Sequence, residues 1–199
     1  MYWSLHDNNI LCSFIGHTDS ITQIDLNPAD STFVSCAKDN TTRVWEYEKK
    51  QCKIRISKSK AACFDNTGMI LACLFLKQSD KSSSNLGGSS APGVQDSNRM
   101  LTQQVHLFNT ENYEERPFSI FSVEDVDLNG EIRQMKFSPD GQFVLLGTTE
   151  NLIMLIDSFE GKIKHKFKAQ FNELATGSVL EAGFSPDSRY LVTGSENSK

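Results

Sequence analysis

One tetrapeptide, Phe-Ser-Pro-Asp, occurs at Phe137–Asp140 and again at Phe184–Asp187, 47 residues on. Each copy follows a short apolar segment and precedes another, Phe143 to Gly147 and Tyr190 to Gly194. Pro fixes φ, and Ser and Asp favour turns, so each copy reads as two strands joined by a tight turn. Repetition at this period constrains the fold more than any other feature. It describes a chain of supersecondary units, each too small to bury its apolar face alone and each completed by stacking on its neighbours.

The fullest unit is Phe14 to Glu46. Gly16-His17 opens it and Trp45-Glu46 closes it. Between them lie three short apolar runs, Ile21 to Leu26, Phe33 to Ala37 and Thr42 to Trp45, separated by turns at Asn27–Asp30 and Lys38–Asn40. Cys52, Ile54 and Ile56 then alternate with Lys53, Arg55 and Ser57, the pattern of a half-buried fourth strand. A weaker copy starts at Ala61 to Phe64, turns at Asp65–Gly68 and continues in Met69 to Leu76, a nearly unbroken apolar run expected of a strand covered on both faces. Its third strand is Val105 to Asn109, with Phe108 where the first unit has Trp45, and its outer strand lies within Glu114 to Val123. The third copy runs from Ile132 through Leu152–Asp157, with Ile156 in the Trp place, to an outer strand at Lys162–Lys168. A fourth starts at Val179. Residues 2–7 and 10–14 form two strands of a further unit at the N-terminal end.

Residues 77–100 interrupt the pattern. The segment is rich in Ser, Gly and Asn and has almost no large apolar residues, so it cannot offset its ordering entropy by burial. A domain linker has such a composition, but the next expected strand follows at once. The reading is a disordered insertion within one unit, and Ser82, Ser83 and Ser84 in it read as exposed polar residues open to phosphorylation.

Composition excludes several functions. The net charge of −5 gives no general attraction to nucleic acid or anionic membranes. No apolar run approaches the roughly 20 residues of a membrane-spanning helix, and residues 1–9 lack the basic and apolar regions of a secretory signal. The five Cys have no C-x-x-C spacing and sit in or beside apolar runs, which fits reduced core thiols. The four His have no metal-ligand spacing, so no metal or cofactor is expected.

These units resemble the blades of the WD-repeat family over essentially the whole chain, which implies an all-β fold, an incomplete β-propeller of four-stranded sheets. Family members of this kind carry about seven blades, whereas residues 1–199 supply about three whole blades and partial blades at both ends, the content expected of a fragment. In the fullest unit His17, Ser35, Asp39 and Trp45 match the family's structural hydrogen-bond tetrad. At the Ser place the third and fourth units have Leu146 and Thr193, and at the Asp place Glu150 and Asn197. Longer stretches, among them SLHDN, LID in place of Trp-Asp, and LEAGFSPDS, resemble one subfamily: the WD-repeat subunit shared by the COMPASS histone lysine methyltransferase and by nuclear RNA 3′-end processing and phosphatase assemblies. That resemblance implies a nuclear, non-catalytic scaffold in a histone H3 lysine-4 methyltransferase complex. Its implied partners are protein subunits and the phosphorylated tail of RNA polymerase II, without direct nucleic acid or membrane contact. The alternative is a WD-repeat adaptor of another complex, such as a ubiquitin-ligase substrate receptor.

Two groups of residues invite a chemical reading. Ser35, His17 and Asp39 are the residue types of a hydrolase triad, but Ser35 lies inside an apolar strand with no G-x-S-x-G elbow, and Trp45 at tetrad spacing accounts for all three. Lys162, Lys164, Lys166 and Lys168 are expected to point to one face of a strand, and Ile163, His165 and Phe167 to point inward from the other. The lysines read either as charges that guard a sheet edge or as a patch for an acidic or phosphorylated partner. Lys53, Arg55, Lys58 and Lys60 carry the same two readings.

Overall fold

The computed structural model describes residues 1–78, 101–113, 115–123, 132–149, 152–168 and 181–194. Its regular elements are all strands. β1 (Tyr2–Ser4) and β2 (Asn9–Cys12) form a hairpin. Three four-stranded antiparallel meanders follow. The first is β3 (Ile21–Leu26), β4 (Thr32–Ala37), β5 (Thr41–Glu46) and β6 (Gln51–Ser57). The second is β7 (Ser59–Phe64), β8 (Ile70–Gln78), β9 (Leu101–Asn109) and β10 (Ser119–Val123). The third is β11 (Ile132–Phe137), β12 (Phe143–Thr148), β13 (Leu152–Asp157) and β14 (Ile163–Lys168). A last hairpin joins β15 (Ala182–Phe184) to β16 (Leu191–Thr193).

The sheets stack face to face. β7 packs on β3, β4 and β5, and β11 packs on β7. Because side chains alternate along a strand, β7 serves two cores. Ala61 and Cys63 meet the third sheet's Met135, Val144 and Leu146. Ala62 and Phe64 join Val34, Cys36 and Val44 of the first. A strand covered on both faces needs apolar residues at consecutive positions, which is why 61–64 reads Ala-Ala-Cys-Phe without alternation.

Four turns at one end of the stack share one closure. The N–H groups of Asn27, Asp65, Ser138 and Ser185 bond the carbonyls of Thr32, Ile70, Phe143 and Tyr190, at 3.0, 3.0, 2.8 and 2.9 Å. The fourth residue of the last three turns has positive φ: Gly68 (74°), Gly141 (73°) and Ser188 (59°). Each turn also bonds the next. Asn27 Nδ2 donates to Gly68 O (3.3 Å), Asn66 Nδ2 to Pro139 O (2.7 Å), and Asp140 N to Ser188 Oγ (3.0 Å). The innermost strands are tied in the same way. Gln23 Nε2 reaches Ala62 O and Met135 O at 3.0 and 2.7 Å, while Gln134 donates to Ala182 O and accepts from Ala182 N. Asp25 accepts from Phe64 N at 2.8 Å, and Lys136, at the same register in β11, donates to Ala182 O at 3.3 Å.

Three expectations need correction. Lys77 and Gln78 belong to β8, which pairs with β9 from Ile70↔Asn109 to Gln78↔Leu101, because polar side chains are tolerated where a hairpin extends past the packed core. The rest of the 77–100 segment, with Ser82, Ser83 and Ser84, lies outside the described residues. Only Cys36, Cys63 and Cys73 are core thiols; Cys12 is half-buried and Cys52 is exposed on the outer strand β6. In β14, Ile163 is half-buried but His165 and Phe167 are exposed with the lysines. That outermost strand shifts register against β13 between Leu155 and Ile156, and among the described residues no further sheet covers it.

Candidate functional site

The four residues of the tetrad pattern come from four segments, two strands of the first sheet, the turn between them and the stretch that precedes the sheet. Ser35 lies in mid-β4, opposite Ile24 on one side and Arg43 on the other. Trp45 stands on β5, Asp39 in the β4–β5 turn, and His17 in the segment before β3. The structure links all four. Trp45 Nε1 donates to Ser35 Oγ at 2.8 Å, Ser35 Oγ lies 2.8 Å from His17 Nε2, and His17 Nδ1 lies 3.0 Å from Asp39 Oδ2. An ionised carboxylate only accepts, so the imidazole proton sits on Nδ1. Nε2 then accepts the serine hydroxyl, and each buried polar atom of the relay has a partner.

Asp39 is the anchor of this network. It also accepts from Thr18 N (3.0 Å), Thr41 N (3.0 Å) and Thr41 Oγ1 (2.7 Å). Burial by itself raises its pKa, but these hydrogen bonds and that of His17 outweigh the burial and hold the carboxyl well below its ordinary value. The His17 and Asp39 side chains are 6% and 9% exposed, and Ser35 and Trp45 are both 4% exposed. Phe14 sits edge-on to Trp45 at 5.5 Å and Phe33 stacks on it at 6.2 Å. Arg43 lies over the indole at 5.8 Å and donates to Gly16 O at 2.8 Å. A Cβ on Gly16 would stand 2.6 Å from Arg43 Nη1 and 3.0 Å from Trp45 Cη2. The glycine before His17 is therefore set by close approach.

Ser35, His17 and Asp39 follow the order of a nucleophilic triad, and a groove of about 360 Å³ reaches Ser35 and His17 past Phe14, Phe33 and Trp45. The surroundings oppose nucleophilic attack. The indole N–H bonds the hydroxyl oxygen that would have to attack. The backbone around Ser35 is paired with strands on both sides, so it has no free pair of N–H groups to stabilise an oxyanion.

Among the described residues, the second and third sheets lack this relay. Cys73 takes the register of Ser35 in the second sheet and Phe108 that of Trp45; the third has Leu146 and Ile156 there. Thr193 lies in β16, and Glu150 and Asn197 fall outside the described residues. Sequence reasoning missed Thr41, whose hydroxyl bonds Asp39 and lies 3.2 Å from His17 Nδ1. The Asp-x-Thr spacing of Asp39 and Thr41 at a turn was its signal.

Lys162, just before β14, and Lys164, Lys166 and Lys168 within it are not brought to this site. Lys162 pairs with Glu160 at 3.2 Å, and Lys164 with Asp157 at 3.4 Å and Glu160 at 3.7 Å. Lys166 and Lys168 are exposed on the same strand. Asp157, held below its ordinary pKa first by the N–H groups of Glu160 and Phe159 and then by Lys164, stays ionised opposite them. Among the described residues no group of His, Cys, Asp and Glu is placed to hold a metal.

Comparison with known proteins falls on the same units. The family model for the WD domain, G-beta repeat, matches residues 8–46, and that for the anaphase-promoting complex subunit 4 WD40 domain matches residues 100–182. WD repeat-containing protein 82 of Drosophila melanogaster is 29% identical over 100% of this chain and 54% of its own length. Set1 complex component swd2 of Schizosaccharomyces pombe is 27% identical over 98% of the chain and 50% of its own. COMPASS component SWD2 of Saccharomyces cerevisiae is 23% identical over 81% and 42%. The chain spans about half the length of the curated relatives it matches. The repeated meanders, the bonded His17–Trp45 unit and the repeat matches lead to one family, and the chain belongs to the WD40-repeat proteins, its sheets being successive propeller blades.

Proposed function

We propose that this chain is a non-enzymatic scaffold, a WD-repeat subunit of a histone H3 lysine-4 methyltransferase complex of the COMPASS type, linked to RNA polymerase II transcription and 3′-end processing. One observation carries the reading. Nearly the whole chain aligns with relatives that include a Set1 complex component, and the likeness runs through the blades rather than a single repeat. Within the scaffold the His17–Ser35–Asp39–Trp45 relay ties one blade together and takes no part in chemistry. The partners on this reading are protein subunits in the nucleus, with no direct contact to nucleic acid or membrane. The phosphorylated polymerase tail is the acidic partner for the lysines of β14, of which Lys166 and Lys168 lie farthest from Glu160 along the strand.

Affinity purification from nuclear extract followed by mass spectrometry tests the reading. Recovery of histone methyltransferase subunits is the expected outcome. Cullin or F-box proteins in their place would assign the chain to a ubiquitin-ligase adaptor instead.

A further inference from the structure

The second and third blades leave a groove of about 790 Å³ between them at the tight-turn end. It is bounded by the β7–β8 turn, the β9–β10 connection, the β11–β12 turn and the start of the β13–β14 turn. Its floor includes Ile70, Leu107 and Phe137, which also belong to or pack on the core between these blades. Its rim carries three exposed apolar side chains: Met69 at 58% exposure, Phe118 at 59% and Phe159 at 87%.

The groove is fixed at two places. On the inner side Asn66 Nδ2 bonds Pro139 O across the blades. On the outer side Gly161, with φ of 68°, lies so close to Phe121 of β10 that a Cβ would stand 2.5 Å from its ring. That contact fixes the β13–β14 turn against the second blade and holds Phe159 at the rim. Between the two ties the walls are preformed, so an occupant would not have to order them.

The charge is one-sided. Among the described residues, Asp65, Glu115 and Asp140 line the groove against one cation, Arg116, a net charge of −2. The turns hold these carboxylates in place. Asp65 accepts from Thr67 and Ile70, Asp140 from Ser138 and Gln142, and Glu115 from Asn112. None of these donors is a cation, so among the described lining residues only Arg116 offsets the three carboxylates. An apolar floor with aromatic edges under an acidic rim fits an apolar anchor with a cation beside it.

We propose that the groove between the second and third blades docks a short extended segment of a partner protein, an apolar side chain flanked by lysine or arginine. The proposal does not depend on which complex the chain joins.

The test uses the full chain and two fluorescein-labelled peptides, Lys-Leu-Phe-Lys and Glu-Leu-Phe-Glu, read by fluorescence anisotropy. The basic peptide is expected to bind about tenfold more tightly than the acidic one, with the preference shrinking as salt rises. Phe118→Ser is expected to weaken its binding about fivefold or more, and Glu115→Lys to abolish the preference. Both side chains are exposed, so thermal unfolding of the variants reports that the fold is kept. No anisotropy change up to about 1 mM peptide, a Kd weaker than ordinary motif recognition, overturns the proposal. So does equal binding of the two peptides, or binding that Phe118→Ser leaves untouched.

Discussion

Gly68 and Gly141 occupy the same place in successive turns, and replacing each by alanine separates two costs. Both have φ near +74°, where a Cβ crowds the backbone at about 1–2 kcal/mol. Ser188, at 59° in the next turn, already bears that cost. The space around the two differs. A Cβ on Gly141 meets only Asn66, the nearest atom being Oδ1 at 3.2 Å, a crowding that a shift of a few tenths of an ångström relieves without breaking the bond from Asn66 Nδ2 to Pro139 O. A Cβ on Gly68 lands 2.1 Å from Asn27 Oδ1, 2.6 Å from Ala29 Cβ and 3.0 Å from Ala29 N. Asn27 has little room to yield. It is 7% exposed, accepts from Ala29 N and donates to Thr32 and Gly68 O. Overpacking of this kind adds about 1–3 kcal/mol. Gly141→Ala is therefore expected to cost about 1–2 kcal/mol and Gly68→Ala about 2–5 kcal/mol. Urea unfolding followed by tryptophan fluorescence measures the difference, with a slope of about 1–3 kcal/mol/M expected. Equal losses for the two variants, or a larger loss for Gly141→Ala, would refute the packing argument and leave only the backbone term.

Further outcomes follow from the tetrad and from β14. His17→Ala strands the Ser35 hydroxyl and one face of Asp39, and is expected to cost about 1–3 kcal/mol, visible as a lower thermal midpoint; an unchanged midpoint counts against the relay. Asp39, with its folded pKa depressed, lends stability that is present above its unfolded pKa of about 4 and lost as pH falls through its lower folded value. An acid-unfolding profile of Asp39→Asn should be flatter below about pH 4 than that of the parent. A fluorophosphonate probe is expected to leave Ser35 unlabelled, and labelling there would revive the hydrolase reading. Lys166→Glu with Lys168→Glu should weaken binding of a phosphorylated polymerase-tail peptide, whereas Lys162→Glu should matter less because Glu160 already sits 3.2 Å from its amine.

The fold was legible because its signals are local. The turn residues at Asn27–Asp30, Asp65–Gly68, Ser138–Gly141 and Ser185–Ser188 and the apolar runs beside them act within a few positions, and the strands of the structure follow them closely. The tetrad residues were legible as a set because Ser, Asp and Trp lie on one hairpin and the Gly-His pair marks its entry. What local pattern could not carry was contact between blades. Gln23 reaches Met135, 112 positions away, and nothing around Gln23 marks it as more than a polar strand residue. The groove is of the same kind, since Phe118 and Phe159 come from different sheets. Alternation in β14 gave a period but not a partner, so it could not tell whether His165 and Phe167 are covered. In β8 and β9 the polar composition hid a hairpin held by backbone bonds, to which side-chain type contributes little.

The bonds that run from turn to turn divide the molecule into an end where length is fixed and an end where it is free. Each β7–β8 type of turn is held by its own five-residue closure and by a neighbour's side chain or backbone, so one added residue would break contacts in two blades at once. The β8–β9 connection leaves from the opposite end of the same strand, where residues 79–100 are added beyond the Gln78↔Leu101 pair. A chain that gains or loses segments over evolution can therefore do so on one face while the other keeps the spacing of its blades. The groove proposed above lies at the fixed end, where a partner would meet the same walls whatever is inserted opposite.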